Sequence, residues 1–267
     1  MQWRPRPGES LAKLLRFSDR IARLRSLDLI APIAREILPM LTLTLRRLLL
    51  VFSLMFSLVP ALTYAQEGSW EFVDTIDGVK VWRKQVPGSD LMAFKGEITA
   101  NVHIGKIIST FLDRDQRKHW VDRFAEQKLL EKSGPMSETY WIHFALPFPI
   151  KDRDYVLKAD GQVDQTAHVF TARIKSVRDP RKGEDDCCVR AEAKNTYYRF
   201  EALPGTERTK MTVEVHTDPK GSLPDWLINL IQKKWPSKTL TGLIARAKAQ
   251  NQIQPEMANW HEAPAAP

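Results

Sequence analysis

The sequence predicts an α+β fold in which a curved antiparallel sheet wraps around a long C-terminal helix. Eight segments after residue 66 alternate apolar and polar residues with a period of two, and clusters rich in Gly, Pro or Asp separate most of them. Helical periodicity occurs after the second of these segments and again over residues 224–250. No regular strand-helix-strand alternation appears, which excludes a doubly wound parallel sheet.

The elements follow in order along the chain. The predicted strands cover residues 78–84, 91–100, 128–132, 138–146, 153–162, 168–177, 189–203 and 208–217. The first helix follows Asn101, and its apolar face consists of Ile104, Ile107, Ile108, Phe111 and Leu112. Pro224 suits the start of the long helix, and Pro236 is expected to kink or break that helix midway because proline removes a hydrogen bond. The tail 251–267 is polar and aperiodic, which predicts disorder.

The segment before the domain has the features of a secretory signal peptide at residues 40–65. Arg46 and Arg47 precede an apolar run, and small residues lead to cleavage after Ala65. The sequence therefore predicts export to the periplasm or secretion. The alternative is an inner-membrane anchor at residues 48–65, although the apolar run is shorter than the ~20 residues that a spanning helix needs. Residues 1–39 form an N-terminal extension that fits neither signal nor domain, and a start site assigned too early explains them.

Charge and cysteine content exclude two classes of protein. The net charge of +8 is concentrated in residues 1–65, where ten Lys and Arg face four Asp and Glu, while the remainder is nearly balanced. A nucleic-acid-binding domain would carry its basic stripe on the folded unit, so nucleic acid is not an expected partner. Cys187 and Cys188 are adjacent and provide no disulfide framework, and we expect them to pack at the end of a strand.

Alternation along the strands identifies the residues that face the interior. They are predominantly apolar and several are small, and the same holds for one stripe of the long helix. The residues expected to line the interior are Tyr140, Ile142, Phe144, Leu146, Tyr155, Leu157, Ala159, Ala191, Ala193, Met211, Val213, Val215, Leu227, Leu230 and Ile231. This pattern fits either a filled core or a cavity.

Motifs for chemistry are missing from the sequence. The six histidines show no paired spacing with Cys or Asp, and no nucleophile elbow or phosphate loop is present, so we expect no metal, no cofactor and no catalytic residues. Arg153 and Asp154 are neighbours in a strand and point to opposite faces. We therefore expect a structural ion pair with another residue rather than an acid-base pair.

Several motifs resemble the START family, the steroidogenic acute regulatory protein-related lipid-transfer domains. Residues 151–156, Lys-Asp-Arg-Asp-Tyr-Val, are similar to the family's strand start, and 218–229, Asp-Pro-Lys-Gly-Ser-Leu-Pro-Asp-Trp-Leu-Ile-Asn, are similar to the entry into its last helix. Trp120 and the run 190–192 also match. The resemblance covers nearly all of the expected domain, 66–250. It implies a helix-grip fold like that of Bet v 1, an internal tunnel for one lipid-like molecule, and a C-terminal helix acting as its lid.

The sequence departs from the sterol-binding members that it resembles. These members have a carboxylate and a guanidinium in the tunnel, and the motifs place Phe144 and Ala159 at those positions. A sterol hydroxyl would lose both partners, so sterol specificity does not carry over.

The expected function is that of a monomeric, non-enzymatic lipid-binding protein that transfers or sequesters one hydrophobic molecule. Lys233, Lys234 and Lys238 are candidates for transient docking to anionic membranes, and Gly221 and Pro236 are candidate hinges. Two alternatives remain open. One is a cyclase or aromatase-like enzyme on the same scaffold, which would need ionisable groups converging in the pocket, and the predicted inner faces are nearly free of them. The other is an interaction module with a filled core and an exposed apolar patch.

Overall fold

The computed structural model describes residues 68–262. The predicted N-terminal extension, the signal peptide and its cleavage site lie outside the described residues, as do residues 263–267. Within the described range, the fold is α+β as the sequence predicts, with a ten-stranded sheet and a long C-terminal helix. No helix in residues 68–262 combines the length and the apolar character that crossing a membrane requires.

The ten strands form one sheet. They are β1 Glu71–Ile76, β2 Val79–Lys84, β3 Ala93–Ala100, β4 Phe124–Gly134, β5 Ser137–Phe144, β6 Asp152–Asp164, β7 Val169–Ser176, β8 Cys188–Arg190, β9 Glu192–Leu203 and β10 Arg208–Asp218. Their order across the sheet is β1-β2-β3-β10-β9-β7-β6-β5-β4, with antiparallel neighbours. β8 pairs with β6 in parallel, so the predicted strand 189–203 is in fact two strands.

The helices are α1 Ile104–Leu112, α2 Arg117–Trp120 and α3 Asp225–Lys248, with 3-10 turns at Arg114–Gln116 and Pro255–Met257. Asp113 is extended and ends α1, and its side chain accepts a hydrogen bond from the backbone of Asp115. This capping splits the first predicted helix into α1 and α2. Pro236 lies inside α3 without breaking it, so the expected break is absent.

α3 packs closely against β3 and α2, and two glycines permit the approach. A Cβ atom at Gly96 would lie 2.6 Å from the Cβ atom of Pro236, and one at Gly242 would lie 2.6 Å from the carbonyl oxygen of Trp120. Both distances are shorter than a carbon side chain allows. The second half of α3 is thereby fixed in the main core, where Leu240 and Leu243 are fully buried.

The expectation of a disordered tail is wrong for residues 251–262. Met257 and Trp260 are buried in the main core, and the Trp260 ring stacks on His168 with centroids 5.4 Å apart. His261 accepts a hydrogen bond from the backbone N–H of Ile104 at 2.9 Å, at the start of α1. Large apolar side chains in a short polar segment supply enough buried area to order it.

Cys187 and Cys188 are joined by a disulfide at the start of β8, rather than packing as separate thiols. The bond links adjacent residues and closes no long loop, so it does not staple distant parts of the chain. The expectation that these cysteines provide no framework agrees with this arrangement.

Candidate functional site

Two adjoining cavities lie between the sheet and α3. We name the first, of about 290 Å³, the tyrosine chamber because Tyr140 and Tyr198 line it. We name the second, of about 360 Å³, the lid chamber because α3 supplies much of its lining. Four residues border both chambers, namely Phe144, Leu157, Thr196 and Trp235. The two volumes together fall within the range of small-molecule sites.

The predicted interior residues divide between the two chambers. The tyrosine chamber is lined by Tyr140, Ile142, Phe144, Leu157 and Ala159 from that set. The lid chamber is lined by Phe144, Leu146, Tyr155, Leu157, Ala193, Val215, Leu230 and Ile231. Strands β5, β6, β9 and β10 therefore present one face of the sheet to a shared hollow.

Four predicted residues line neither chamber. Met211 and Val213 are fully buried in the main core, and Ala191 packs in a small cluster with Tyr140 and Tyr155. Leu227 is only partly buried. The three residues from the sheet region were predicted as ligand contacts because inward-facing residues show the same alternation over a filled core as over a cavity.

The stripe of α3 that faces the lid chamber is shifted from the predicted one. Ile228, Ile231 and Trp235 lie on it at helical spacing, with Gln232 beside them. Sequence reasoning missed Ile228, Gln232 and Trp235. Trp226, also apolar, is 69% exposed, which obscured the phase of the stripe.

An ion pair borders the tyrosine chamber. Glu138 of β5 contacts the Arg117 guanidinium of α2, and Arg114 lies 3.3 Å from the same carboxylate. Arg117 also lies over the ring of Tyr140, 4.3 Å from its centroid. The expectation that the inner faces are nearly free of ionisable groups is wrong here. Glu138 could have been found, since it shares the alternating face of Tyr140.

Burial keeps the tyrosine hydroxyls of the two chambers neutral. Desolvation raises the pKa of Tyr140, and the nearby Arg117 offsets only part of that effect. Desolvation likewise raises the pKa of Tyr198 and of Tyr155 well above the usual value. These hydroxyls therefore offer neutral hydrogen-bond donors and acceptors at physiological pH.

The side chains of Arg153 and Asp154 lie on opposite faces of β6 and have different partners. The Asp154 carboxylate accepts hydrogen bonds from Trp141 at 2.7 Å and from Arg190 at 2.8 Å. Burial alone would raise the pKa of Asp154, but the bonds from Arg190 and Trp141 outweigh burial and lower it. The predicted structural ion pair is confirmed, and Arg190 is its partner.

Arg153 holds the turn that leads into α3. Its guanidinium donates to the carbonyl oxygens of Pro219 and Lys220, each at 3.0 Å, and its side chain borders the lid chamber. Gly221 follows with a φ of 76°, a left-handed conformation that favours glycine. The residues before the lid helix are thus fixed from the sheet.

The three lysines expected to dock on membranes do not behave alike. Lys233 forms an ion pair with Asp74 of β1 at 3.0 Å, so it is directed to the sheet edge. Lys234 and Lys238 are exposed and border the lid chamber. Among the residues that the structure describes, no group of three His, Cys, Asp or Glu side chains could hold a metal ion.

Two curated proteins are similar to this chain in sequence over about two thirds of its length. An uncharacterized protein of Pseudomonas aeruginosa is 28% identical over 179 residues, which is 67% of this chain and 87% of that protein. The phosphatidylcholine transfer protein of Mus musculus is 25% identical over 189 residues, covering 69% of this chain and 85% of the mouse protein.

Solved structures give the same fold. Human STARD10 superposes with a TM-score of 0.61 at 22% identity, over 67% of this chain and 73% of that one. A STAR-related lipid transfer protein fragment from Xanthomonas axonopodis superposes with a TM-score of 0.58 at 23% identity, over 67% and 98%. The START domain family model matches residues 61–253, most of the chain. With the helix over the sheet and the chambers between them, this match establishes that the chain belongs to the START domain family.

Proposed function

We propose that this protein encloses one lipid-like molecule in the two chambers beneath α3 and carries it between membranes without chemical change. The observation that carries the proposal is the pair of adjoining, largely apolar hollows between sheet and helix. The mouse relative named as a phosphatidylcholine transfer protein supports transfer as the activity.

Removal of an acyl chain from water provides enough free energy for binding. Each buried methylene contributes about 0.8 kcal/mol, so a sixteen-carbon chain gains on the order of 12 kcal/mol before the costs of ordering. Such binding needs few polar contacts. The apolar lining from Ile142, Leu157 and Val215 on the sheet and Ile228 and Ile231 on α3 fits this ligand.

The first half of α3 acts as the lid in this proposal. Leu240 and Leu243 hold the second half in the core, whereas Trp226 and Leu230 of the first half are 69% and 46% exposed. Pro236 lies between the halves and lacks an N–H, which weakens the helix at that point. Opening would therefore displace the residues before Pro236, with Gly221 as the second hinge.

The lid also provides a surface for a membrane. Lys234 and Lys238 supply positive charge, and Trp226 is an exposed aromatic side chain of the kind that enters the interface of a bilayer. Phe148, two residues after the chamber residue Leu146, is 97% exposed. Export of the domain by residues 40–65, which rests on the sequence alone, would place this surface outside the cytoplasm.

Binding without catalysis fits the charged groups of the chambers. The Arg117 and Glu138 side chains neutralise each other, whereas a cyclase would direct an acid and a base at its substrate. We therefore propose that the chambers hold the ligand and take no part in covalent chemistry.

Filling the chambers with larger side chains tests the proposal. Ala159→Phe and Ala193→Phe place rings in the tyrosine and lid chambers, and Ala167→Phe, at an exposed turn, is the matched control. We expect the wild type and the control to retain about one lipid per protein after incubation with vesicles, and each filled variant to lose most of it. Lipid extraction with mass spectrometry measures this, and thermal unfolding shows that the variants are folded. An empty wild type, or full occupancy of both filled variants, would contradict the proposal.

A further inference from the structure

Three hydroxyl groups in the tyrosine chamber have no protein partner. Tyr140, Tyr198 and Thr196 line the chamber, and each is more than nine-tenths buried. Among the described residues, none of these hydroxyls forms a hydrogen bond. The hydroxyls face the chamber, so a hydrogen bond from a ligand group to one of them contributes about 0.5–1.5 kcal/mol to binding. The chamber therefore suits a polar group rather than the end of an acyl chain.

The charges around the chamber are balanced. Its lining includes three cationic and three anionic side chains, namely Arg114, Arg117, Lys132, Asp113, Asp115 and Glu138. Glu138 contacts Arg117 and lies 3.3 Å from Arg114. An anionic ligand group that displaced Glu138 from Arg117 would leave this part-buried carboxylate with Arg114 alone. The balance therefore disfavours anionic lipids.

A choline group would find the rings of the two chamber tyrosines already in contact with other side chains. Quaternary ammonium ions bind over the faces of aromatic rings. Arg117 already occupies a face of Tyr140, 4.3 Å from the ring centroid, and Phe111 contacts the ring of Tyr198 with centroids 4.8 Å apart. A second cation beside Arg117 would be repelled.

We infer that the tyrosine chamber receives the polar end of an uncharged, hydroxyl-bearing lipid, of the diacylglycerol class, with the acyl chains extending into the lid chamber. This inference rests on the proposed function. It assigns to this chain a ligand of a different class from the phospholipid in the name of the mouse relative.

Competition among lipids tests the inference. Delipidated protein is incubated with vesicles that contain equal amounts of dioleoylglycerol, phosphatidylcholine, phosphatidylglycerol and oleate, and the lipids on the re-isolated protein are quantified. We expect dioleoylglycerol to exceed each of the others by about tenfold, as one or two hydrogen bonds provide. A protein that carries mainly a phospholipid or oleate overturns the inference and leaves the proposed function intact. A protein that carries no lipid overturns the proposed function.

Variants identify the groups responsible. Glu138→Gln frees the charge of Arg117, and we expect the share of oleate and phosphatidylglycerol to rise by about tenfold. The matched control is Glu131→Gln in β4. The Glu131 side chain is 53% exposed, pairs with Arg181 and borders neither chamber. We expect the lipid profile of this variant to match that of the wild type. Tyr198→Phe removes one hydroxyl and should lower the dioleoylglycerol share several-fold, which keeps the inference testable if Glu138→Gln fails to fold. An unchanged profile in a folded Glu138→Gln, or in Tyr198→Phe, would overturn it.

Discussion

Two histidines join the C-terminal segment to the start of α1. His103 and His261 are buried, with ring centroids 4.5 Å apart. His103 Nδ1 accepts from the backbone N–H of Gly105 at 3.0 Å, and His261 Nε2 accepts from that of Ile104 at 2.9 Å. The accepting nitrogen of His261 must carry no proton, so its hydrogen bond with Ile104 requires a neutral ring. Burial, and then the neighbouring His103, lower the pKa of His261.

This pairing predicts a loss of stability in mild acid. The unfolded chain binds a proton at His261 near pH 6.5, while the folded chain resists it, so the unfolded state binds more protons below that pH. The free energy of unfolding should therefore hold its full value above about pH 7 and decrease as the pH falls below about 6.5. Urea unfolding at pH 7.5 and pH 5.5 measures the difference.

The variant His261→Gln checks the source of this pH dependence. Loss of the bond to Ile104 should lower the free energy of unfolding by about 1–2 kcal/mol at pH 7.5 and reduce the decrease between the two pH values. His119→Gln, at an exposed position in α2, is the control and should retain the full decrease. Equal pH profiles for the wild type and His261→Gln would show that this histidine is not responsible.

Some individual residues could be predicted from the sequence and others could not. The role of Asp154 followed from strand geometry, since neighbours on a strand face opposite sides. Glu138 stood on a predictable face, but its partner Arg117 comes from a helix 21 residues earlier. That contact depends on how α2 lies against the sheet, which local sequence patterns do not encode. The unpartnered hydroxyls likewise depend on where the packing leaves space.

At the scale of elements, the close packing of α3 against β3 and α2 depends on two glycines, because a larger side chain at either position would collide with the neighbouring element. Gly242→Ala should decrease the free energy of unfolding by about 1–3 kcal/mol, because its Cβ would lie 2.6 Å from the carbonyl oxygen of Trp120. Helix propensity alone predicts the opposite sign, a gain of about 1 kcal/mol. The control Gly183→Ala meets no atom within 4 Å and should be nearly neutral. Chemical denaturation distinguishes the two signs, and a stabilised Gly242→Ala would refute the close contact.

The periodicity of apolar residues located most helices and strands. It failed where the apolar residues of an element are not the buried ones. The eight predicted strands are all present with shifted ends, whereas β1 is not among the predicted strands. β1 is an edge strand without a buried residue, and its Phe72 is 56% exposed, so it shows no apolar face. The predicted stripe of α3 was shifted because the apolar side chain of Trp226 is 69% exposed. The strand was missed because it has no buried face, and the helix stripe was shifted because an apolar residue is exposed.

At the scale of the whole molecule, the lid chamber opens beside the charges proposed to face a membrane. Lys234→Glu/Lys238→Glu should weaken binding to anionic vesicles by more than about tenfold, since each lysine near such a surface contributes about 1 kcal/mol. The control Lys128→Glu/Lys175→Glu makes the same charge change at exposed positions on strands β4 and β7. Vesicle co-sedimentation measures both, and equal binding by the two variants would remove the docking role of the lid.

The overall architecture was predictable from the sequence because element order, short connections and two family motifs agreed. The packing of residues 251–262 was not, since a segment of polar composition is ordered only by the groove that receives it. Met257 and Trp260 fit that groove beside α1 and β7. A sequence pattern reports which side chains are apolar, but it does not report which distant surface accepts them.

The pairing of β3 with β10 affects how the protein folds during its synthesis. Ala100 lies opposite Thr209 in the sheet, and the backbone N–H of Ile104, at the start of α1, donates a hydrogen bond to His261. Contacts so distant along the chain form late and slowly. During synthesis, the apolar face of β3 therefore stays without these partners until the C-terminal residues have been made.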